Sequence, residues 1–444
     1  YGTNWFAQNA DAGLIRIEYS EGNRKPVAVI SSDKSVGGIP ADVHFSASKS
    51  IDYDIGDKLR FEWRVDGKVF NQKEIDYQFK KAGNYTVVLI VSDQHGGVST
   101  TTQEIKVGNT PPIVSIDSKN NKSFYWDNQV FPYHISISDR EDKTIDPKRF
   151  SATFTYLQNG KDIAAALSGA VHGNLKYAET EQMFLSLDCK TCHAFNTKSI
   201  GPSLKAIANK YKNSQTVVNQ LSAKVLKGGS GVWGSYPMPP HLDLAETDSK
   251  KIIQYILSLS DNQEAFPFSG VIDLNEHKST EVNGAYVFQA KYTDTGANGI
   301  EPLTTGQYLV LRNPVIELED FEEGNVNVSI GTLNNGYITS IPCGHNKFVS
   351  FKNIDLRQIQ KITFRLQKNG SGGTLDIRKG SRNGPIIGSI RIEDGVQKVI
   401  KNGWQDISIP IKPVEGNSDL FITFTNSDLK ANTLFYLDWM RFER

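Results

Sequence analysis

The chain has 444 residues, 49 Lys and Arg against 49 Asp and Glu, and a hydrophobic fraction of 38%. That length exceeds one ordinary domain and predicts three or four. Balanced charge gives no global basic field, which excludes a simple nucleic-acid or anionic-membrane binder, and no apolar run approaches a membrane span. The sequence opens on Tyr1 with neither an initiator methionine nor a secretory leader, and so reads as a fragment or processed form.

Residues 1–24 contain Tyr1-Gly-Thr-Asn-Trp5 and Gly13-Leu-Ile-Arg-Ile-Glu-Tyr-Ser-Glu-Gly-Asn-Arg24, two short strands with turns and too little for a domain. The stretch resembles the last blade of the β-propeller in soluble sugar dehydrogenases that use pyrroloquinoline quinone (PQQ), the glucose/sorbosone type. The resemblance assigns no catalytic or quinone-binding residue here; it implies that a catalytic propeller stood upstream. An ordinary N-terminal β-segment is the alternative.

Residues 25–109 alternate between strands, at Val27 to Ser31, Asp42 to Ser46, Leu59 to Val65, Tyr85 to Asp93 and Val98 to Val107, with turn residues at sandwich-like intervals. Asp52-Tyr-Asp-Ile-Gly-Asp57, Phe61-Glu-Trp-Arg-Val-Asp-Gly67 and Gly83 to Asp93 resemble the polycystic-kidney-disease (PKD) domain, an immunoglobulin-like sandwich. Its Trp-Asp-Phe-Gly-Asp-Gly signature is degraded to Trp63-Arg-Val-Asp-Gly67, so a spacer is expected rather than a specific binding site. Asp52, Asp54 and Asp57 carry the oxygen chemistry calcium takes, although solvated turns are the commoner meaning of such a run.

Strands at 113–116, 130–138 and 150–157 start a further β-domain too short to close by itself, and the strand pattern resumes at 270–273, 284–294 and 306–311. We expect 111–163 and 266–313 to be halves of one immunoglobulin-like sandwich with a helical domain inserted between them. Completing the sheet removes an open edge.

The inserted domain, 170–262, carries Cys189-Lys-Thr-Cys192-His193. C-x-x-C-H is the covalent attachment signature of a c-type haem: two thiols one helical turn apart form thioethers, and the adjacent His193 offers an imidazole nitrogen to the iron. Zinc needs four ligands, and the only other cysteine is the distant Cys343. A redox dithiol wants a βαβ context, which is missing. The flanking pattern is helical. Thr180 is the expected cap of a helix bearing Met183, Phe184 and Leu187. Ser203 to Tyr211 is a second helix. Ser214 caps a third that stops at Gly228-Gly229, and a fourth runs from about Asp248 to Ser260. Met238 lies in the proline-stiffened loop Tyr236-Pro-Met-Pro-Pro-His241, poorly placed for packing and well placed as a thioether ligand; His241 ranks second.

Gly201-Pro-Ser-Leu-Lys-Ala-Ile-Ala-Asn-Lys-Tyr211 and Lys227-Gly-Gly-Ser-Gly-Val-Trp-Gly-Ser-Tyr-Pro-Met-Pro-Pro240 resemble the small class I bacterial electron-transfer cytochromes c over roughly 178–260. The resemblance implies His193 and Met238 as axial ligands, Pro202 packed on the proximal imidazole, and Trp233 near a haem propionate. With both axial positions filled, electron transfer is expected rather than haem catalysis.

Residues 314–444 predict a C-terminal β-domain. Glu317-Leu-Glu319, Lys347-Phe-Val-Ser-Phe-Lys-Asn353, Gly372 to Arg378, Gly403-Trp-Gln405 and Leu437-Asp-Trp439 resemble a family 6 carbohydrate-binding module, a jelly-roll sandwich. The resemblance implies a structural calcium at Glu317, Glu319 and Asp438, with simple edge charges as the alternative. It also implies a sugar held by loop aromatics, for which Tyr337 and Trp404 are the candidates. The family's ligand asparagine is Tyr436 here, and Trp404 as a core residue stays open. Cys343 reads as an inert thiol.

The expected whole is a multidomain, mainly β chain with one all-α cytochrome c domain and one covalent haem c, outside the cytoplasm because haem c is attached there. It would accept electrons from a PQQ-dependent sugar dehydrogenase, pass them to a downstream acceptor, and bind polysaccharide; no residue is asked to do bond chemistry. The alternatives are a surface adhesion or scaffold protein with an accessory haem, and a haem sensor or peroxidase in which Met238 dissociates.

Overall fold

The computed structural model describes residues 22–54, 56–157, 177–260, 266–279, 284–333, 336–368, 372–393, 403–426 and 433–444. The propeller-like segment at the N-terminus lies outside the described residues, apart from its last three. Mostly β-strand with a small helical region, the fold agrees with the class expected from the sequence. The chain divides into two compact units: 1–113 with 137–149 and 292–305, and 114–136 with 150–291 and 306–444.

In the first unit, residues 23–107 form two facing sheets. One orders the strands Ser31–Ser32, Ala41–Ser46 and Glu74–Phe79. The other orders Val36–Gly37, Val98–Val107, Gly83–Ser92, Arg60–Val65 and Lys68–Phe70. Alternation drives the assembly: Ala41, Val43 and Phe45 point inward along one strand, Val87, Leu89 and Val91 along another, and all are buried. Trp63 is fully buried and its indole N–H donates to Gln72 O at 2.9 Å, so the large ring is packed without an orphan donor. The expected strand at Val27 to Ser31 shrinks to a bridge between Val27 and Ile51 and a short strand at Ser31–Ser32. Two further strands, Lys68–Phe70 and Glu74–Phe79, were not anticipated.

In the second unit, two three-stranded sheets draw on both sides of the helical segment. Val130–Ser138 lies between Ile113–Asp117 and Ser269–Asp273, with Val130 opposite Asp273 and His134 opposite Ser269. Phe150–Leu157 pairs with Ala285–Thr293, which pairs with Thr304–Arg312. Backbone pairing therefore crosses the helical segment in both sheets.

The helical segment has five helices: α1 (Ala178–Ser186), α2 (Cys189–Cys192), α3 (Leu204–Lys210), α4 (Gln215–Lys227) and α5 (Glu246–Leu257). Ser203 and Ser214 cap α3 and α4, accepting from Ala206 N and Val217 N, and Gly228, at φ +72°, ends α4. Thr180 caps nothing: α1 starts after Tyr177, and Thr180 is buried within the helix. The start of α5 lies at Glu246, two residues before the expected Asp248.

The C-terminal sandwich, 315–444, packs a six-stranded sheet against a five-stranded one. Its main strands are Lys347–Asp355, Lys361–Gln367, Gly373–Lys379, Ile386–Ile392, Trp404–Pro410, Asn417–Thr425 and Thr433–Glu443. Val315–Glu317, Glu323–Gly324, Ser329–Leu333 and Gly336–Gly344 add to them. Its core includes Phe364, Phe424, Phe435, Leu437 and Met440, together with Phe124 from the preceding domain, which stacks on Phe442 at 4.4 Å. Cys343 is buried in that core, and burial pushes its thiol well above the ordinary value, as an inert thiol requires.

Candidate functional site

The motif cysteines sit one turn apart on the short helix α2, and His193 follows as its C-terminal residue, with its N–H on Cys189 O at 3.0 Å. Neither Cys189 nor Cys192 is in a disulfide, and both are half-buried. Burial, with Asp188 and Cys192 nearby, holds the Cys189 thiol above its ordinary value. From α2 the chain turns back on itself. Gly201 N donates to Cys192 O at 2.8 Å and Leu204 N to Ala194 O at 3.0 Å, which brings Pro202 under the imidazole.

The result is a hydrogen bond of 2.7 Å between His193 Nδ1 and Pro202 O. A carbonyl oxygen only accepts, so Nδ1 carries the proton and Nε2 keeps its lone pair for a metal. Such a bond from the non-ligating nitrogen is the usual support of a metal-bound histidine. Gly201 makes the approach possible. A Cβ there would lie 2.6 Å from His193 Cε1 and 2.9 Å from its Nδ1.

Met238 ends the second strand of a β-hairpin, Gly229–Gly231 with Gly234–Met238, where an irregular loop had been expected. Its register places Met238 opposite Gly229. Gly228 is packed against this segment: a Cβ on it would lie 2.7 Å from Met238 O and 2.8 Å from Pro240 N. The same glycine thus ends α4 and seats the methionine strand. His241 donates its backbone N–H to Val225 O at 3.2 Å, and its Nδ1 lies 3.5 Å from Asp188 Oδ1. Trp233 stands partly exposed with the Lys210 ammonium 4.6 Å from its ring centre.

Cys189, Cys192, His193, Pro202, Trp233, Met238 and His241 all line one cavity, completed by apolar side chains of α3, α4 and α5. It encloses about 1200 Å³ of atom-free space, some of it open to solvent. The residues present fit a haem: two thiols and a histidine with a free Nε2 on one wall, a thioether in the same cavity, and a mainly apolar lining.

In the C-terminal domain, Val315–Glu317 pairs with the last strand, Glu317 opposite Trp439, and a 3-10 turn, Leu318–Asp320, carries Glu319. Burial, then Asp438, Glu319 and Asp320, push the Glu317 carboxyl up to about 7, while Arg365 opposes the rise. Burial raises Glu319 and Asp438 too, and one oxygen of Glu319, Oε2, is buried with no hydrogen-bond partner. Asp438 has a cationic neighbour in Arg365 at 3.3 Å. Mutually repelling carboxylates with an orphaned oxygen fit a bound cation such as calcium. They are not drawn tightly together, however. Among the described residues, only Asp52, Asp54 and Asp57 have carboxylates all within 4.8 Å of one another. There Arg24 already contacts Asp54, through its N at 2.6 Å and its Nε at 2.7 Å.

Trp404 starts its strand opposite Gln367, which lies opposite Tyr436, itself opposite Pro342. Trp404 is half-buried, outside the core, with the Arg365 guanidinium 5.8 Å from its ring centre. Tyr337 lies in the strand Gly336–Gly344 opposite Thr332; its side chain falls outside the described residues. Sequence reasoning missed Gln367, which strand register places between Trp404 and Tyr436. It also missed Gly201, whose role follows only from the folded-back turn.

Three family models match: "PKD domain" over residues 23–107, "Cytochrome c" over 177–260 and "Carbohydrate binding module (family 6)" over 321–444. Cytochrome c-552 of Hydrogenobacter thermophilus is 40% identical over 79 residues, which are 18% of this chain and 80% of that protein. Cytochrome c-552 of Nitrosomonas europaea is 42% identical over 72 residues, 16% of this chain and 70% of that protein. Among solved structures, a β-1,3-glucan-binding family 6 module from Bacillus halodurans is similar over 29% of this chain and 95% of its own, at 19% identity and a TM-score of 0.26.

Two outcomes test this geometry. Gly201→Ala should displace His193 from Pro202 O, lowering both haem retention and the thermal midpoint of the haem-loaded chain; pyridine-haemochrome assay and a melting scan check it. Glu317 binds its proton more tightly folded, near 7, than in its unfolded state, near 4.5. In chelator that contribution is present at acid pH and is lost as pH rises through 7. The unfolding midpoint of the C-terminal domain should therefore fall between pH 5 and pH 8, and Glu317→Gln should flatten the fall.

Proposed function

The chain belongs, through residues 177–260, to the cytochrome c family, and from that premise we propose that it is an extracytoplasmic electron-transfer protein that accepts electrons from a PQQ-dependent sugar dehydrogenase and binds polysaccharide through its C-terminal module. The observation that carries the reading is the placement of His193 and Met238 in one cavity, with His193 Nδ1 committed to Pro202 O. When bound, the haem supplies a one-electron couple at its iron.

The protein's own residues do the rest. Cys189 and Cys192 tether the porphyrin, His193 presents Nε2, and Pro202 O holds the imidazole in one tautomer and orientation. Met238 would offer the haem iron a soft thioether, a donor that favours the reduced state more than an imidazole does. The apolar walls keep water from the cavity interior. His241 lines the same cavity, with its Nδ1 3.5 Å from Asp188 Oδ1, and ranks second to Met238 in this reading.

Location outside the cytoplasm, in the periplasm or at the cell surface, follows from the haem-attachment chemistry. Among the described residues no helix is long and apolar enough to cross a membrane. The cytochrome domain is an insert within one sandwich, 111–163 with 266–313; the pairing of strands from both sides supports this reading. Glu317, Glu319 and Asp438 hold a structural calcium in the C-terminal module, and Trp404 with Tyr337 contributes to a saccharide site.

Spectroscopy of the haem-loaded chain tests the electron-transfer reading. The wild type should be low-spin in both redox states, with a weak far-red sulfur-to-iron band when oxidised. Met238→Ala should lose that band and bind carbon monoxide when reduced. A high-spin wild type would move the protein to sensing or peroxidase chemistry. For the sugar reading, Trp404→Ala should weaken retention on insoluble β-glucan or xylan by about tenfold, the order of 1.4 kcal/mol, without changing the haem spectrum. Unchanged retention would remove Trp404 from the site.

A further inference from the structure

The second unit holds another open space, where the strand Thr304–Arg312 and the segment 116–124 face the C-terminal module. It encloses about 1020 Å³ free of atoms, part of it open to solvent, and shares no lining residue with the haem cavity. Neither Trp404 nor the Glu317 group borders it.

The walls of this cleft are fixed against each other. Fully buried Asn121 donates its Nδ2 to Asp355 O and Arg357 O, at 2.7 and 2.9 Å. Lys122 donates its N–H to Asp355 Oδ2 at 2.8 Å, and Asp355 returns its own N–H to Ser123 Oγ at 2.8 Å. Buried polar bonds of this kind, with Phe124 seated in the C-terminal core, hold one relative placement. The cleft is therefore built by two domains together, and neither would form it alone.

A sheet edge makes one side. Among the described residues, Thr304–Arg312 has a strand partner on one side only, apart from a single bridge between Arg312 and Phe124. Successive side chains of a strand point to opposite faces, yet Gln307, Tyr308, Leu309 and Val310 all border the space. The strand thus turns its edge to the cleft, where backbone N–H and C=O groups add to the side-chain partners.

Charge there is unbalanced. Lys122, Arg312 and Lys352 border the cleft, against the single carboxylate of Glu322. Among the described residues Arg312 and Lys352 enter no ion pair, and Lys122 only approaches Asp117, at 3.9 Å. Neutral donors accompany them. Gln307 Oε1 accepts from Ile116 N at 2.6 Å, which leaves its Nε2 to donate. Tyr308 OH accepts from Gln289 Nε2 at 2.6 Å, so its own proton is free. Asn417 Nδ2 donates to Asn353 Oδ1 at 2.9 Å, which leaves an amide donor on Asn353 and an amide acceptor on Asn417.

We infer that this cleft binds an acidic saccharide, a uronate-bearing oligosaccharide. Its carboxylates lie among Arg312, Lys122 and Lys352, and its hydroxyls meet the amides, Tyr308 and Glu322. The space far exceeds one small anion, and cations from three separate segments suit a ligand that carries charge on successive units. Arginine takes a carboxylate bidentately, and a hydroxyl both donates and accepts, as mixed amide and carboxylate neighbours require. The proposal deepens the polysaccharide reading and rests on it for the ligand class, but it uses neither Trp404 nor Tyr337.

The full haem-loaded chain is titrated by calorimetry with trigalacturonate, and with xylotriose as the neutral control. Trigalacturonate should bind, and more weakly at high salt. Binding should fall about tenfold or more in Arg312→Gln with Lys352→Gln, whose side chains are exposed and outside the core, and stay unchanged in Trp404→Ala. No trigalacturonate binding, binding that ignores the double substitution, or loss of binding in Trp404→Ala overturns the proposal. Equal binding of inorganic polyphosphate, the mark of a plain polyanion patch, overturns it too. Retention on neutral xylan reports the Trp404 site separately, so failure of that reading and failure of this one are distinguishable. Hydrogen exchange on the wild-type chain needs no variant: trigalacturonate should slow exchange at 307–310 and 352–354. Unchanged exchange there overturns the site even if the variants misfold.

Discussion

The bond from His193 to Pro202 O is the contact on which the functional region depends. It fixes a tautomer, and so decides which imidazole nitrogen faces the cavity. The bond exists only because the chain after α2 folds back tightly enough for Gly201 N to reach Cys192 O, and that turn tolerates no Cβ at Gly201. The proposed haem ligand, His193, is thus held by backbone geometry rather than by a second charged residue. A carbonyl partner adds no formal charge to the cavity wall. A carboxylate in that place would make the ligand more basic and lower the potential.

Elsewhere the chain is shaped by charge that its own cations do not neutralise. At Asp54 an arginine is supplied, and its hydrogen bonds hold the carboxyl below the usual range. At Glu317 the neighbours are mostly other carboxylates, and the proton is held up to about 7. A protein that needed these sites only for stability would gain by replacing such residues with apolar ones.

Legibility from the sequence followed how local each determinant is. Cys189, Cys192 and His193 are adjacent in the chain, and their spacing alone named the haem. The caps Ser203 and Ser214 were equally local, and both hold. Thr180 failed as a cap because the helix gains a turn ahead of it through Ala178 and Glu179, where a strong helix former and an acidic first turn outweigh an absent hydroxyl cap. The strands Lys68–Phe70 and Glu74–Phe79 were invisible for a different reason. One is only three residues long, and in the other Ile75, Tyr77 and Phe79 alternate with polar residues over just six positions; the partners Trp63 with Phe70 and Phe45 with Ile75 show that one face is buried. The Met238 hairpin could not be anticipated either, since prolines and glycines argue against a ladder unless register places them at its edges. Long-range placements, such as Gln367 between Tyr436 and Trp404, lie beyond any local pattern.

The pairing across the helical segment raises a folding question with a physical answer. Val130 meets Asp273 only after more than a hundred intervening residues have been brought together. Loop closure grows slowly with length, about 0.6 kcal/mol for each doubling, so the long excursion is cheap in equilibrium terms. Its kinetic cost is larger, because non-local strand pairing must wait for the ends to meet. A helical segment with its own buried core of Phe184, Leu204, Val218, Ile252 and Ile256 reduces that wait. Haem attachment would add to the stability of that small core, because a domain of this size buries too little surface on its own.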